Sequence, residues 1–171
     1  AKPTRLGRTG TQQYGPAGAM MWSTPVVDTK RRSLYAGTGE SLSWPATDTS
    51  DAIIAYNMDS GAKRWVFQAS RNDIWNSACG RRGANCDWPG EYWSPDFDFG
   101  ATSMLVKRQD GSELVIAGQK SGVVWALNPD TGKLKWYYQT VPPDSWDFAS
   151  VGGLVMADIQ IEGRTRKVIM Q

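Results

Sequence analysis

The residues with most capacity for chemistry are carboxylates. Asp96 and Asp98 alternate with Phe97 and Phe99 in the stretch Ser94-Pro-Asp-Phe-Asp-Phe-Gly100. In an extended segment both carboxylates fall on one face. Aromatic neighbours desolvate a carboxylate and raise its pKa, which suits a general base. Asp98 is therefore a candidate base, the plainer alternative being a turn carboxylate at the start of a strand. The chain contains no His, which excludes a Ser-His-Asp triad, a Cys-His pair and the Cys-x-x-Cys-His haem signature within it. Its two Cys, Cys79 and Cys86, cannot alone make a zinc site. They suit a local disulfide clipping a loop in an oxidising compartment, or else stay as two free thiols.

Short strands must position these groups. Apolar residues alternate over brief runs punctuated by Gly, Asp and Pro, and no long stretch repeats at helical spacing. Strands are expected at about 19–27, 33–38, 51–57 and 63–69, then at about 101–107, 113–118, 122–128 and 133–140. A third set begins at about 151–160 and 165–170. Residues 70–98, rich in Gly, Trp, Asp and Asn, read as one long functional loop.

The chain also repeats itself. Ala55-Tyr-Asn57-Met-Asp-Ser60-Gly61-Ala-Lys-Arg-Trp65 recurs as Ala126-Leu-Asn128-Pro-Asp-Thr131-Gly132-Lys-Leu-Lys-Trp136. Each copy reads as two strands, a Gly-bearing turn and two more strands: one four-stranded blade. The turn Gly supplies a positive φ, the Ser/Thr hydroxyl bonds local backbone, and the Trp is free to pack on the next blade. The fold class is all-β, a β-propeller with only two to two and a half blades present. Blade A covers about 19–69, the loop 70–98, blade B about 99–140 and the start of blade C about 147–171. A propeller needs about four to eight blades, so the 171 residues read as a fragment, a truncated product or a piece that closes by assembly. The remaining blades or another copy would complete the ring.

The formal net charge of +2 argues against a nucleic-acid partner. No run approaches the roughly 18 apolar residues of a membrane span. The chain opens at Ala1-Lys2-Pro3 without Met, so a targeting segment is expected upstream or already removed.

The repeated Ala-x-Asn-x-x-(Ser/Thr)-Gly-x-x-x-Trp resembles the tryptophan-docking motif of the eight-bladed pyrroloquinoline-quinone (PQQ) dehydrogenases, the quinoprotein alcohol dehydrogenase family. Residues 1–132 are most similar to its polyvinyl-alcohol-oxidising members, through Trp22-Ser-Thr-Pro25, Tyr35-Ala-Gly-Thr-Gly39-Glu40, Asp96-Phe-Asp98-Phe-Gly100 and Ala117-Gly-Gln-Lys120-Ser-Gly122. Residues 126–171 look more like the broader alcohol and methanol dehydrogenases, through Pro143-Asp144-Ser-Trp146-Asp147-Phe148 and Gly163-Arg-Thr-Arg-Lys167-Val168. Asp98 and Asp147 both fit the place of the family's catalytic aspartate, where one is needed. Either this subfamily carries both, or the chain joins two parents at the shared motif.

The resemblance implies further roles. Trp22 is the floor on which the quinone stacks, or else a core Trp. Glu40 stands where the family carries an oxygen ligand for calcium, most often Asn, and a carboxylate suits that hard ion; its plainer reading is a solvated turn Glu. Asp98 joins it at the metal. Lys120 lies against the quinone oxygens, where a cation stabilises developing charge, or is an exposed turn Lys. Ala149 replaces the second Asp of lanthanide-using relatives, which favours calcium. The expected activity is PQQ- and Ca²⁺-dependent oxidation of an alcohol, with polyvinyl alcohol as one candidate. The electrons go to an external acceptor such as cytochrome c, in the periplasm or outside the cell. The rivals are a non-catalytic propeller scaffold and an inactive fragment.

Overall fold

The computed structural model describes residues 2–7, 9–77, 94–142 and 149–171. Cys79, Cys86 and Asp147 lie outside them. Every regular element among the described residues is a β-strand. A hairpin of β1 (Lys2–Leu6) and β2 (Gln12–Gly15) comes first. Two four-stranded antiparallel sheets follow. The first runs β3 (Val26–Asp28), β4 (Ser33–Gly37), β5 (Ala52–Asn57) and β6 (Lys63–Gln68); the second runs β7 (Met104–Lys107), β8 (Glu113–Gly118), β9 (Val123–Leu127) and β10 (Leu134–Gln139). A last hairpin pairs β11 (Val155–Ile161) with β12 (Arg164–Met170).

Both sheets are meanders, each strand pairing with its neighbour in sequence. The repeat read from the sequence is also a repeat of register: Ala55 faces Trp65 in one sheet and Ala126 faces Trp136 in the other. The inner strands are apolar on both faces because both faces are covered, as in Ala52-Ile53-Ile54-Ala55 and Val115-Ile116-Ala117. The outer strand β10 is exposed along its whole length.

The core lies between the two sheets. Tyr35, Ile53 and Ala55 of the first meet Val115, Ala117 and Leu127 of the second, with Phe99 beside them. At the outer end Trp65 closes the joint. Its indole N–H donates to the Pro129 carbonyl at 3.0 Å, and its ring lies so close to Gly132 that a Cβ there would sit 2.6 Å from it. Tyr35 stacks on Trp65 with ring centroids 5.7 Å apart. Arg31 completes the seam: it reaches Asp28 at 2.8 Å in its own sheet, and Glu113 at 2.8 Å and Asp130 at 2.7 Å in the other. A guanidinium fork suits such a shared arrangement of carboxylates.

Several expectations change, and the strand expected at 151–160 begins at Val155. The strand expected at 19–27 shortens to Val26–Asp28, with only isolated bridges Gly18↔Ser41 and Met21↔Thr38 before it. Ala19 holds φ 55° and Pro25 has no N–H to give a ladder. The strand expected at 101–107 begins at Met104. The hairpin β1–β2 was not foreseen, because Lys2–Leu6 is exposed throughout and carries no apolar alternation.

Candidate active site

Three segments distant in sequence converge where β4 and β8 end. Thr38–Ser41 leaves β4. Residues 94–100 cross between the sheets. The turn 119–122 leads from β8 to β9. The crossing segment is bonded to both neighbours: Phe99 N–H donates to the Thr38 carbonyl at 3.1 Å, and Lys120 N–H donates to the Asp98 carbonyl at 2.9 Å. Asp73, fully buried, anchors its start. One Asp73 oxygen accepts from Ser94 Oγ at 2.5 Å and Trp75 N–H at 3.0 Å, and the other accepts from Phe97 N–H at 2.9 Å.

This framework brings Glu40, Asp96, Asp98 and Lys120 together. Glu40 N–H donates to Asp98 Oδ1 at 2.9 Å. Lys120 Nζ lies 2.8 Å from Asp96 Oδ2 and 3.2 Å from Asp98 Oδ2. That second contact is an ion pair without hydrogen-bond alignment, so the fully buried Asp98 Oδ2 accepts no hydrogen bond. One carboxylate oxygen from each of Glu40, Asp96 and Asp98 lies within 4.8 Å of the others. Trp22 stands over the cluster, its ring centroid 5.4 Å from Lys120 Nζ, with Trp75 at 6.0 Å. Gly39 permits the approach: a Cβ there would lie 2.5 Å from Asp98 Oδ1 and 3.0 Å from Trp22 Nε1.

The plainer alternatives give way to burial. Glu40 is 7% exposed, so it is no solvated turn residue. The Lys120 side chain is 14% exposed and paired. Trp22 is half exposed and is therefore not core.

Crowding sets the charge states. Burial pushes Glu40 up to about 8, aided by its hydrogen bond to Asp98 and the repulsion between the two. Asp96 is pushed up to about 6 by burial, against the pull of Lys120. Burial also acts to raise Asp98, but hydrogen bonds from Glu40 and Asp96 and the charge of Lys120 outweigh it and hold Asp98 low. This corrects the expectation that the flanking Phe rings raise Asp98. Asp98 is buried, but the donors around it win. Asp51, fully buried with neither oxygen hydrogen-bonded, is pushed up to about 9 by burial and then by repulsion from Asp73, Asp98, Glu40 and Asp96.

Three hard carboxylates, one bearing a buried oxygen that accepts no hydrogen bond, fit a calcium-like cation. The group contains Glu40 and Asp98, the two residues expected at a metal, together with Asp96. Asp96 and Asp98 meet as the Asp-x-Asp spacing led one to expect, but not by strand alternation: residues 94–100 form no strand, and Asp96 holds φ 60°. Asp51 and Asp73 carried no signal, because nothing in a single sequence marks a carboxylate as buried.

No protein-family model matches the chain. Polyvinylalcohol dehydrogenase of Sphingopyxis sp. (strain 113P3) is 40% identical over 131 residues, covering 75% of this chain and 20% of that protein. Quinohemoprotein alcohol dehydrogenase of Comamonas testosteroni is 31% identical over 140 residues, covering 69% of this chain and 20% of that one. Among solved structures, a europium-containing methanol dehydrogenase superposes with a TM-score of 0.55 at 20% identity, over 73% of this chain and 20% of its own. The last likeness shows the all-β fold of a quinoprotein dehydrogenase. The sequence matches go further: the chain is a homologue of the quinoprotein alcohol dehydrogenases, similar to the polyvinylalcohol dehydrogenases in particular. It spans about one fifth of the length of these relatives.

Proposed function

We propose that this chain supplies two blades, the start of a third and part of the cofactor site of a PQQ- and metal-dependent dehydrogenase that oxidises an alcohol. The observation that carries the reading is the meeting of Trp22, Glu40, Asp98 and Lys120 from separate segments in one buried cluster. The similarity to polyvinylalcohol dehydrogenases favours a polymeric secondary alcohol as substrate.

A quinone cofactor held here would supply the acceptor for the alcohol's hydride. The chain's own residues do the rest. Trp22 offers an exposed aromatic face for a planar ring. Lys120, held as a cation between Asp96 and Asp98, would stabilise negative charge on quinone oxygens. Glu40, Asp96 and Asp98 would hold a cation, for which calcium is the first candidate. Asp98, kept ionised, is ready to take the alcohol proton; Asp147 is the other candidate for that step. The electrons would go to an external acceptor such as a cytochrome c, in the periplasm or outside the cell.

The pocket would be completed by parts of the protein that this chain does not contain. The purified chain is therefore expected to show little or no PQQ-dependent dye reduction, while binding PQQ saturably in the presence of Ca²⁺, read by Trp fluorescence. Loss of quenching in Trp22→Leu and Lys120→Met supports the assignment. Unchanged quenching in both variants overturns it, and robust dye reduction by the wild-type chain overturns the incomplete-pocket part.

A further inference from the structure

Within the cluster of Trp22, Glu40, Asp96, Asp98 and Lys120, only Asp96 has a left-handed backbone, with φ 60°. There its Cβ crowds the following carbonyl oxygen. Asp visits the region more readily than most residues, yet such a conformation persists only where its surroundings over-determine it. The kink has a result at the site. It brings Asp96 Oδ2 to Lys120 Nζ at 2.8 Å and a carboxylate oxygen within 4.8 Å of those of Glu40 and Asp98.

Two fully buried polar side chains hold the kink, Asp73 after β6 and Gln119 after β8. Asp73 spans it. Its Oδ1 accepts from Ser94 Oγ at 2.5 Å on one side of Asp96, and its Oδ2 accepts from Phe97 N–H at 2.9 Å on the other. Gln119 takes the far end of the same residue: its Nε2 donates to the Phe97 carbonyl at 2.7 Å. The first Phe97 bond orients the peptide that follows Asp96, and the second orients the peptide that precedes Asp98.

Neither group is free to turn. Asp73 Oδ1 also accepts from Trp75 N–H at 3.0 Å, which leaves Oδ2 for Phe97. Gln119 Oε1 accepts from Trp125 Nε1 at 3.0 Å and Ser121 Oγ at 2.7 Å, and its Nε2 also donates to Ser70 Oγ at 3.1 Å. An indole only donates and a backbone carbonyl only accepts, so the amide group has one orientation, with its nitrogen toward Phe97. Asp98 has other supports. Its carbonyl accepts from Lys120 N–H at 2.9 Å, and its Oδ1 accepts from Glu40 N–H at 2.9 Å.

We infer that Asp73 and Gln119 are positioning residues: they clamp Phe97 by its N–H and its carbonyl, hold Asp96 left-handed, and so aim its carboxylate at the site shared with Asp98 and Lys120. That this aim serves to hold a cation rests on the function proposed above. The clamp itself rests on hydrogen bonds alone.

Two isosteric variants each reverse one end of the clamp. Asp73→Asn keeps an oxygen for Ser94 and Trp75 but turns an NH2 on the Phe97 N–H, donor against donor. Gln119→Glu keeps an oxygen for Trp125 but turns a second one on the Phe97 carbonyl, acceptor against acceptor. In the metal-free 171-residue chain, amide exchange followed by NMR should find Phe97 N–H protected. It should exchange about tenfold faster or more in both variants, although Gln119 touches only the carbonyl. Affinity for Tb³⁺, read by tryptophan-sensitised luminescence, should fall about tenfold or more in both. In an Asp96→Gly background the same changes should cost about twofold or less, because Gly takes a positive φ unaided and has no carboxylate to aim. Ser70→Ala, which removes the other bond of the Gln119 nitrogen, should move neither readout. Should both reversals fail to fold, Ser94→Ala is the milder cut on the same turn and should weaken Tb³⁺ severalfold. Unchanged Phe97 exchange in the variants overturns the clamp. Tb³⁺ bound equally by wild type and variants, or losses that persist in Asp96→Gly, overturn the positioning of Asp96. A wild-type chain that binds no Tb³⁺ overturns the cation site instead, and the Phe97 amide then decides the clamp.

Discussion

Glu40 gives its backbone N–H to the Asp98 carboxylate at 2.9 Å, across 58 positions of sequence. This one bond ties the end of β4 to the segment that crosses between the sheets, and it fixes the oxygen around which the candidate site is built. Gly39 makes the approach possible. Gly39→Ala should displace Asp98 and Trp22 together, since its Cβ would lie 2.5 Å from one and 3.0 Å from the other. We expect a stability loss of about 1–3 kcal/mol and at least tenfold weaker binding of Ca²⁺ by calorimetry. Gly152→Ala, where a Cβ meets nothing within 4 Å, serves as the control and should change neither.

Asp51 makes stability depend on pH. Its pKa is raised from an ordinary 3.8 to about 9, first by burial and then by its acidic neighbours. The folded state therefore keeps a proton that the unfolded chain releases. Stability from this group is fully present below about pH 4 and is lost progressively as pH rises toward 9. Asp51→Asn should remove that slope, and Asn tolerates the positive φ of 47° at this position. In thermal unfolding with EDTA present, the variant should gain several degrees on the wild type between pH 5 and pH 9. Parallel curves for the two proteins would show that Asp51 does not carry this proton.

Lys120 should oppose the metal that it sits beside. Its ammonium neutralises Asp96 and Asp98 at 2.8 and 3.2 Å, and an entering divalent cation must share that space. Opposed charges at such distances are worth a few kcal/mol at an effective dielectric of about 20. Lys120→Met should therefore bind Ca²⁺ about tenfold more tightly while binding PQQ more weakly. Weaker binding of both would mean that Lys120 holds the carboxylates in place rather than competing for them.

The two repeat tryptophans should differ in cost. Trp65 is stacked, hydrogen-bonded and pressed against Gly132, so Trp65→Ala should lose about 3–5 kcal/mol in urea unfolding. Trp136, 37% exposed, should lose less than half of that. Equal losses would mean that Trp136 is already seated within its own chain.

Much of this was legible in the sequence, for identifiable reasons. The Asn57-to-Trp65 and Asn128-to-Trp136 repeats gave the two sheets because a turn needing a positive-φ Gly and an Asn acceptor leaves a composition signature. Asp96, Asp98, Glu40, Lys120 and Trp22 were marked by local alternation or by resemblance, and the structure brings them together. The charge order was not legible. It depends on which carboxylate receives the Glu40 N–H and the Lys120 ammonium, a matter of contacts between segments rather than of neighbours in sequence. Asp73 and Asp51 were invisible for the same reason. The start of β3 was misplaced because Ala19, a residue with no turn preference, takes a left-handed conformation there.

Terbium luminescence sensitised by tryptophan tests the account most directly. Tb³⁺ is a hard oxygen-seeking cation, and the Trp22 ring stands beside Lys120, which is itself paired to Asp96 and Asp98. The account predicts saturable luminescence on excitation of tryptophan, displaced by Ca²⁺, abolished by Asp98→Asn and reduced severalfold by Trp22→Phe. No sensitised emission from the folded chain, or emission indifferent to Asp98→Asn, would contradict the claim that Glu40, Asp96 and Asp98 form a cation site beneath an aromatic floor.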